Sequence, residues 1–227
     1  MGQERIIHAA LLGAGTVGSG VYKLVKDLEE EIISKTGARL VVDKILVRDT
    51  TKAREGIPSE LLIDRWDEIL NDPQIEIVIE VMGGIRPALT WLEEALRAGK
   101  QVVTANKDLL AEYGEQLFDA AEAGKCDLHF EAAVAGAIPI IRPLRQSLVA
   151  SELTEVTGIV NGTTNYILTR MTEDGMGYEE ALALATKLGY AESDPTADVE
   201  GYDAGRKVAI MASIAFNSNV TFSQVYT

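Results

Sequence analysis

The sequence predicts an α/β protein in which a doubly wound parallel sheet is followed by a second, smaller α/β domain. Short apolar runs alternate with segments of helical period from the N-terminus to about residue 150, which is typical of parallel strands connected by helices. After Pro139 helical segments dominate. We therefore predict one domain over residues 1–150 and a second over residues 151–227.

The apolar runs and the glycine and proline positions predict the elements in order. In the first domain we expect strands at 5–12, 38–47, 76–82, 101–105 and 127–134, and helices at 16–34, 87–98 and 108–123. In the second domain we expect a helix at 139–150, a strand at 153–160, and helices at 162–173, 178–188 and 201–216. Pro195 and Gly201 predict an extended, exposed loop over 192–200.

Composition excludes several classes of partner. The 227 residues carry 21 Lys and Arg against 35 Asp and Glu, a formal net charge of -14, which argues against nucleic acid or an anionic membrane as the main partner. No apolar run is long enough for a membrane span. The single Cys126 excludes an internal disulfide and favours a reducing, cytoplasmic location.

A glycine-rich turn follows the first predicted strand. Gly13, Gly15 and Gly18, with Thr16 and Val17 between them, form a G-x-G-x-x-G pattern that opens a predicted helix. In a Rossmann-type fold these glycines allow a tight turn, close approach of the backbone to a pyrophosphate, and close packing of helix on strand. The pattern predicts dinucleotide binding, and the alternative is a turn that serves packing alone.

The second predicted strand ends in residues that bear on the choice of cofactor. Arg48 stands near the position where an NAD-binding protein presents an acid to the ribose, and Arg48 with Lys52 could accept the 2′-phosphate of NADP. The next residue, Asp49, is an acid of the kind that binds the ribose of NAD, so NAD also stays open as the cofactor. Alternatively, Arg48 and Lys52 are solvated loop residues that bind no cofactor.

Two later strands end in further candidates for the ligand side of the sheet. Because ligands of such folds lie beyond the carboxyl ends of the strands, residues there are expected to contact the cofactor. These are Met82, Gly83, Gly84, Thr104 and Ala105. Lys107 follows them and is a candidate for binding a substrate carboxylate or moving a proton, although lysines at such positions are often only surface residues.

Glu131 lies inside an otherwise apolar stretch, where a lone carboxylate is costly to bury. The turn at 135–137 exposes carbonyl oxygens. Carboxylate and carbonyl oxygens together suit a hard cation. Alternatively, Glu131 accepts backbone hydrogen bonds in a core turn.

The second predicted domain holds two polar groups. Asn161 and Thr163 stand at the start of a predicted helix, where they bind substrate or where threonine caps the helix. Asp203 and Lys207 are four residues apart on one helix face, either as a surface ion pair or as a lysine that exchanges a proton with an alkoxide. Glu192 and Asp198 could hold an ammonium group.

These motifs together resemble homoserine dehydrogenase. The stretch ALATKLGYAESDPTADVEGYDAGRK over residues 183–207 is similar to that family's signature, and GAGTVG, VMGG, TANK, the Glu131 turn and NGTTNYIL occur in the family's order. The resemblance covers essentially the whole sequence. It implies an NAD- or NADP-dependent oxidoreductase that interconverts L-homoserine and L-aspartate 4-semialdehyde, on the way to threonine and methionine.

The resemblance also implies roles for individual residues. Lys107 and Lys207 correspond to acid–base lysines, and Asp203 lies beside the reacting hydroxyl group. Glu192 and Asp198 correspond to substrate-binding acids. A sodium site is implied as well, formed by Glu131 with the backbone of Val134, Gly136 and Ile138.

Members of that family continue past the last predicted helix. They complete the substrate domain and form a homo-oligomer there, so we expect the second domain to be incomplete at its C-terminus. The competing hypothesis is an NAD(P)-binding fragment or sensor module without catalysis. An aldehyde-oxidising semialdehyde dehydrogenase would need a nucleophilic cysteine, and Cys126 lies in no evident site.

Overall fold

The computed structural model describes residues 4–191 and 194–227. The chain divides into two compact units, of which the first ends at Ala133 and the second begins at Val134. This division lies earlier in the chain than residue 150, and the predicted domain boundary there stays a prediction.

The first unit contains, among its described residues, a six-stranded parallel sheet in the order β3-β2-β1-β4-β5-β6. The strands are β1 (Arg5–Leu12), β2 (Ala38–Leu46), β3 (Leu62–Ile63), β4 (Ile75–Glu80), β5 (Gln101–Thr104) and β6 (Leu128–His129). The helices are α1 (Thr16–Asp27), α2 (Glu29–Thr36), α3 (Asp67–Leu70), α4 (Ala88–Arg97) and α5 (Lys107–Gly124). This is the strand order of the Rossmann fold, so the predicted fold class is confirmed.

The centre of the sheet is buried on both faces. The last four residues of β1, Ala9 to Leu12, are 0% exposed, as expected of a parallel strand covered by helices on either side. Leu12 is in register with Leu46 of β2 and with Glu80 of β4, and Glu80 is in register with Thr104 of β5. The carboxyl ends of these four strands therefore lie side by side, and the loops that follow them share one edge.

Two elements of the first unit differ from the sequence prediction. The single helix predicted over 16–34 is interrupted at Leu28, whose φ of -109° and ψ of 25° are not helical, and α2 continues to Thr36. The strand predicted over 127–134 shortens to Leu128–His129, because β6 is the outermost strand of the sheet and pairs with β5 over two residues only.

The second unit is helical. Its helices are α6 (Gly162–Glu173), α7 (Tyr178–Lys187), α8 (Thr196–Val199) and α9 (Tyr202–Ala215), of which α6, α7 and α9 were predicted. The helix predicted over 139–150 is wrong in length: helical conformation is confined to residues 141–147, of which Pro143–Ser147 form a π-helical turn. It ends at Leu148, whose φ of -102° and ψ of 8° are not helical.

Two further predictions for the second unit are wrong. Residues 153–160 form no strand. A strand needs a second strand as its hydrogen-bonding partner, and the described residues of the second unit contain no such partner. The loop predicted over 192–200 contains α8, which begins after an Asx turn. In that turn Asp194 accepts hydrogen bonds from the N–H and hydroxyl of Thr196 at 3.1 and 2.6 Å. Across the described part of the chain, no helix is both long enough and apolar enough to cross a bilayer.

Candidate functional site

The glycine turn between β1 and α1 has the geometry of a phosphate-binding loop. Gly13 has a φ of +102°, and a Cβ on Gly18 would lie 2.1 Å from the carbonyl oxygen of Gly13. A Cβ on Gly15, in contrast, would meet no described heavy atom within 4 Å. Gly13 and Gly18 therefore serve the turn and the packing of α1, whereas Gly15 leaves space for a ligand to approach the backbone.

The N-terminus of α1 is open to an anion. Gly15 is its N-cap, no side chain among the described residues caps it, and its first turn contains no acidic residue. Thr16 and Val17 are exposed, and Val17 retains 58% of its accessible surface. The unbonded N–H groups and the positive end of the helix dipole suit a pyrophosphate at this position.

The turn after β2 closes on itself around Asp49. Its carboxylate accepts hydrogen bonds from the N–H and hydroxyl of Thr51 at 2.9 and 2.6 Å, and the hydroxyl bond is the main reason why the pKa of Asp49 is lowered. Arg54 donates to the carbonyl oxygens of Asp49 and Lys52 at 3.1 and 2.7 Å. Asp49 is thus engaged within the turn, while Arg48 is exposed at its start.

A buried carboxylate lies between the loops that follow β4 and β5. Glu80 is 0% exposed. Its Oε1 accepts hydrogen bonds from the N–H groups of Met82 and Gly83 at 2.8 and 3.1 Å, and its Oε2 accepts one from the hydroxyl of Thr104 at 2.6 Å. The carboxylate therefore connects the Met82–Gly84 loop to the end of β5.

Asn106 extends this network to the start of α5. Its N–H donates to the Thr104 hydroxyl oxygen at 3.0 Å, and its amide nitrogen donates to the Gly84 carbonyl oxygen at 2.6 Å. Its amide oxygen accepts from the N–H of Leu109 at 3.2 Å and so caps α5. Lys107 is the first residue of α5 and is partly buried, and its N–H donates to the carbonyl oxygen of Ala105.

In the second unit, the ion pair predicted from the spacing of Asp203 and Lys207 is present. The ammonium nitrogen of Lys207 lies 2.5 Å from Oδ2 of Asp203 and also donates to the carbonyl oxygen of Val160 at 2.7 Å. The side chain of Asp203 retains 11% of its accessible surface, and that of Lys207 retains 17%. The pair is therefore far less hydrated than an ordinary surface salt bridge.

Asn161 joins a second carboxylate, that of Asp198, to this pair. Its amide nitrogen donates to Oδ1 of Asp198 at 2.7 Å and to Oδ2 of Asp203 at 2.9 Å. Its amide oxygen accepts from the N–H and hydroxyl of Thr164, both at 2.8 Å, and caps α6. One amide thus fixes α6, α8 and α9 relative to each other.

The alternative that a threonine caps this helix is wrong, since Asn161 is the cap and Thr163 lies inside α6. Thr163 is buried, and its hydroxyl donates to the carbonyl oxygen of Tyr190 at 2.7 Å. Tyr190 also stacks on Tyr166, with ring centroids 4.7 Å apart. The hydroxyl of Thr163 therefore connects α6 to the segment that leads towards residue 192. Glu192 lies outside the described residues.

The residues predicted to bind sodium lie in two consecutive turns after β6. Glu131 begins a short 3-10 turn that ends at Ala133. Val134 is 0% exposed, whereas Ile138 is 68% exposed and its N–H closes a turn on Ala135. Gly136 lies within this turn. Among the described residues, no group of three or more His, Cys, Asp or Glu side chains could hold a metal ion, and sodium binding stays a prediction.

Glu80 was not predicted to be part of the site, and Asn106, within the TANK motif on the ligand side of the sheet, was given no role. A signal for Glu80 was present, since it interrupts the apolar run that continues into Val81, as Glu131 does in its own stretch. Asn106 had the weaker signal of an N-cap residue before a helix.

The comparisons with known proteins assign the chain to a family. A family model described as "Homoserine dehydrogenase, NAD binding domain" matches residues 13–131, and one described as "Homoserine dehydrogenase" matches residues 139–227. The chain belongs to the homoserine dehydrogenase family. The resemblance drawn from the motifs is therefore confirmed.

Individual homoserine dehydrogenases support this assignment. The one from Mycobacterium tuberculosis (strain ATCC 25618 / H37Rv) is 52% identical over 225 residues, which are 99% of this chain and 51% of the relative. The crystal structure of a homoserine dehydrogenase from Thiobacillus denitrificans has a TM-score of 0.89 and 43% identity, over 97% of this chain and 51% of that one. The chain thus spans about half the length of these relatives.

A more distant structure carries a cofactor. It is a hyperthermophilic archaeal homoserine dehydrogenase in complex with NADPH, with a TM-score of 0.81 and 25% identity, over 94% of this chain and 70% of that one.

Proposed function

We propose that this chain is the cofactor-binding and catalytic part of an NAD(P)-dependent oxidoreductase that interconverts L-homoserine and L-aspartate 4-semialdehyde. The observation that carries the proposal is that the two homoserine dehydrogenase models match both units, residues 13–131 and 139–227. The open N-terminus of α1 and the poorly hydrated Lys207–Asp203 pair supply chemistry that such a reaction needs.

The cofactor belongs at the carboxyl edge of the sheet. The backbone of Gly13, Gly15, Thr16, Val17 and Gly18 would hold the pyrophosphate, for which the turn has both the space and the dipole. Further contacts would come from Met82, Gly83, Gly84, Thr104 and Ala105. When bound, the nicotinamide supplies or accepts a hydride.

Arg48 favours NADP over NAD. Its guanidinium is exposed at the end of β2, whereas Asp49 is engaged with Thr51. NADPH is also the cofactor bound to the archaeal relative. Arg48→Ala should weaken NADPH binding about ten- to a hundredfold, the effect of losing a charge-assisted hydrogen bond, and leave NADH unchanged. Equal losses for both cofactors would contradict this role. Arg65→Ala, at an exposed arginine after β3, is the control.

Lys207 would exchange the proton. In the reducing direction its ammonium protonates the oxygen of the aldehyde as hydride arrives at the carbon, and in the oxidising direction its neutral amine takes the proton back. Asp203 and the Val160 carbonyl orient the amine. Lys107 is the second acid–base candidate, at the N-terminus of α5.

The substrate's ammonium group would be held by acidic residues of the second unit. Asp198 and Glu192 are the candidates, and Asn161 and Thr163 are proposed to bind the substrate beside them. The carboxylates of Asp198 and Asp203 both accept from the amide nitrogen of Asn161, and two carboxylates this close together attract a cation.

The reaction is tested by following NADPH absorbance with homoserine or the semialdehyde, with NADP and NAD compared. The 227-residue chain should be assayed beside the same chain extended by the part of the Mycobacterium tuberculosis relative that it does not match. Homoserine-dependent reduction of NADP supports the proposal. Tight NADPH binding without turnover in both proteins would instead support the non-catalytic binding module.

Cys126 argues against the semialdehyde dehydrogenase alternative. Burial raises the pKa of its thiol, and its Sγ donates to the carbonyl oxygen of Leu96. A nucleophilic cysteine requires the opposite, a thiol whose pKa is lowered.

The proposed function also includes a homo-oligomeric assembly and a dependence on sodium. We expect a homo-oligomer, which size-exclusion chromatography of the extended protein would detect. Sodium dependence is tested by comparing activity in sodium and potassium salts. A protein that is monomeric and indifferent to the cation would exclude both.

A further inference from the structure

Glu80 is a buried acid that the proposed chemistry does not use. It ends β4, where Val78, two residues earlier on the same face of the strand, is equally buried and apolar. Pairing with β5 requires only the backbone of Glu80, whose carbonyl oxygen accepts from the N–H of Ala105 at 3.2 Å. An apolar side chain would satisfy the strand, and burying a carboxylate instead is costly unless its hydrogen bonds are made.

The hydrogen bonds of this carboxylate go to the two loops at the ligand edge. Two reach the N–H groups of Met82 and Gly83, and the third reaches the hydroxyl of Thr104. Gly83 and Gly84 have φ values of 71° and 74°. Because glycine is otherwise free to leave this conformation, the hydrogen bonds to Glu80 fix the first half of the loop.

Asn106 closes the network from the other side. Its backbone N–H donates to the hydroxyl oxygen of Thr104, and its side-chain amide donates to the carbonyl oxygen of Gly84. The same residue caps the helix that begins with Lys107. A shift of the Glu80 carboxylate would therefore be transmitted to the Met82–Gly84 loop and to the turn that carries Lys107.

We propose that Glu80 is a positioning residue, which holds the Met82–Gly84 loop and the Thr104–Lys107 turn in the arrangement that binds the nicotinamide end of the cofactor. This inference rests on the proposed function, and it adds a residue that acts through Thr104 and the loop backbone.

Glu80→Gln tests the proposal with minimal change in volume. The glutamine oxygen can still accept from Met82 and Gly83, but its amide would donate to the Thr104 oxygen, which already accepts from Asn106, and the Thr104 proton would lose its acceptor. We expect the dissociation constant for NADPH, measured by fluorescence, to rise about tenfold. We expect kcat to fall by up to about a hundredfold, the effect of a small misplacement of reacting groups, with the KM for homoserine nearly unchanged.

A double-mutant cycle and a matched control separate positioning from stability. Thr104→Val removes the same hydrogen bond, so the double variant should be no worse than the poorer single variant. Val78→Ala, in the same strand, should lower the melting temperature without changing NADPH affinity or kcat. Full additivity in the cycle, or an equal effect of Val78→Ala on NADPH affinity, would overturn the proposal.

The NADPH measurement also separates this inference from the proposed function. If the unmodified protein is inactive with homoserine, weaker NADPH binding in Glu80→Gln still supports the positioning role. If the unmodified protein is active and Glu80→Gln retains its NADPH affinity and kcat, the function stands and the positioning role is wrong.

Discussion

The ammonium group of Lys207 donates to the carboxylate of Asp203 at 2.5 Å, one helical turn away on α9. Pairs at this spacing on exposed helices contribute about 0.3–0.5 kcal/mol. Here the carboxylate also accepts from Asn161 and the ammonium also donates to Val160. This shared network, rather than the pair alone, holds the amine in one orientation.

Replacing Lys207 tests its proposed role in proton transfer. Lys207→Met should lower kcat about 10²- to 10⁴-fold, the usual contribution of a general acid or base, while NADPH affinity is unchanged. Lys207→Arg keeps the charge but cannot release a proton, because an arginine remains charged. Lys187→Met, at an exposed lysine of α7, is the control. Steady-state rates near those of the unmodified protein in either Lys207 variant would exclude proton transfer by this residue.

Asn161 bridges the carboxylates of Asp198 and Asp203, so adding a third carboxylate there should be harmful. Asn161→Asp retains the cap on α6 but places a negative charge beside Asp198 and Asp203. We expect kcat/KM for homoserine to fall about ten- to a hundredfold at neutral pH.

The control for this variant is Asn165→Asp, which adds the same charge at an exposed position of α6. Equal losses in the two variants would show that the amide of Asn161 does not act through its hydrogen bonds to these carboxylates.

Gly18 and Gly20 form a matched pair within α1. A Cβ on Gly18 would overlap the carbonyl oxygen of Gly13, whereas a Cβ on Gly20 would meet no described heavy atom within 4 Å. Gly18→Ala should lower the free energy of unfolding by about 1–3 kcal/mol or more through overpacking and weaken NADPH binding. Gly20→Ala should raise it by about 0.5–1 kcal/mol. Urea denaturation would measure both, and a neutral Gly18→Ala would contradict the packing of the turn.

Asp72 should make stability depend on pH. Lys44 donates to its carboxylate at 2.7 Å, and this hydrogen bond is the main reason why the pKa of Asp72 is lowered from 3.8. Since the folded pKa is below the unfolded one, the stabilisation is present above 3.8 and is lost as the pH falls through the folded pKa. Asp72→Asn should lower the free energy of unfolding by about 1 kcal/mol at neutral pH, a value reduced by partial exposure of the pair.

Denaturation of both proteins from neutral pH down to about pH 3 checks the sign, because their difference should shrink on acidification. Asp119→Asn, at an exposed position of α5, should show no such change. A difference that stays constant with pH would exclude the carboxylate as its source.

The sequence predicted features that depend on local pattern. The parallel strands follow from buried apolar runs, the turn at Gly13–Gly18 follows from glycine geometry, and the Asp203–Lys207 pair follows from helical spacing. The strand predicted at 153–160 does not form, because a strand depends on pairing with a neighbouring strand, and the local sequence pattern carries no information about that partner. The Glu80 network depends in the same way on the register between β4 and β5.

The turn between Arg48 and Arg54 is held by its own hydrogen bonds, through the Asx interaction of Asp49 and the two carbonyls that Arg54 binds. Such a self-contained segment can be exchanged as a unit without disturbing the strands on which it stands. If Arg48 binds the 2′-phosphate as proposed, evolution or protein engineering could change the preference between NADP and NAD by substitutions confined to this one turn.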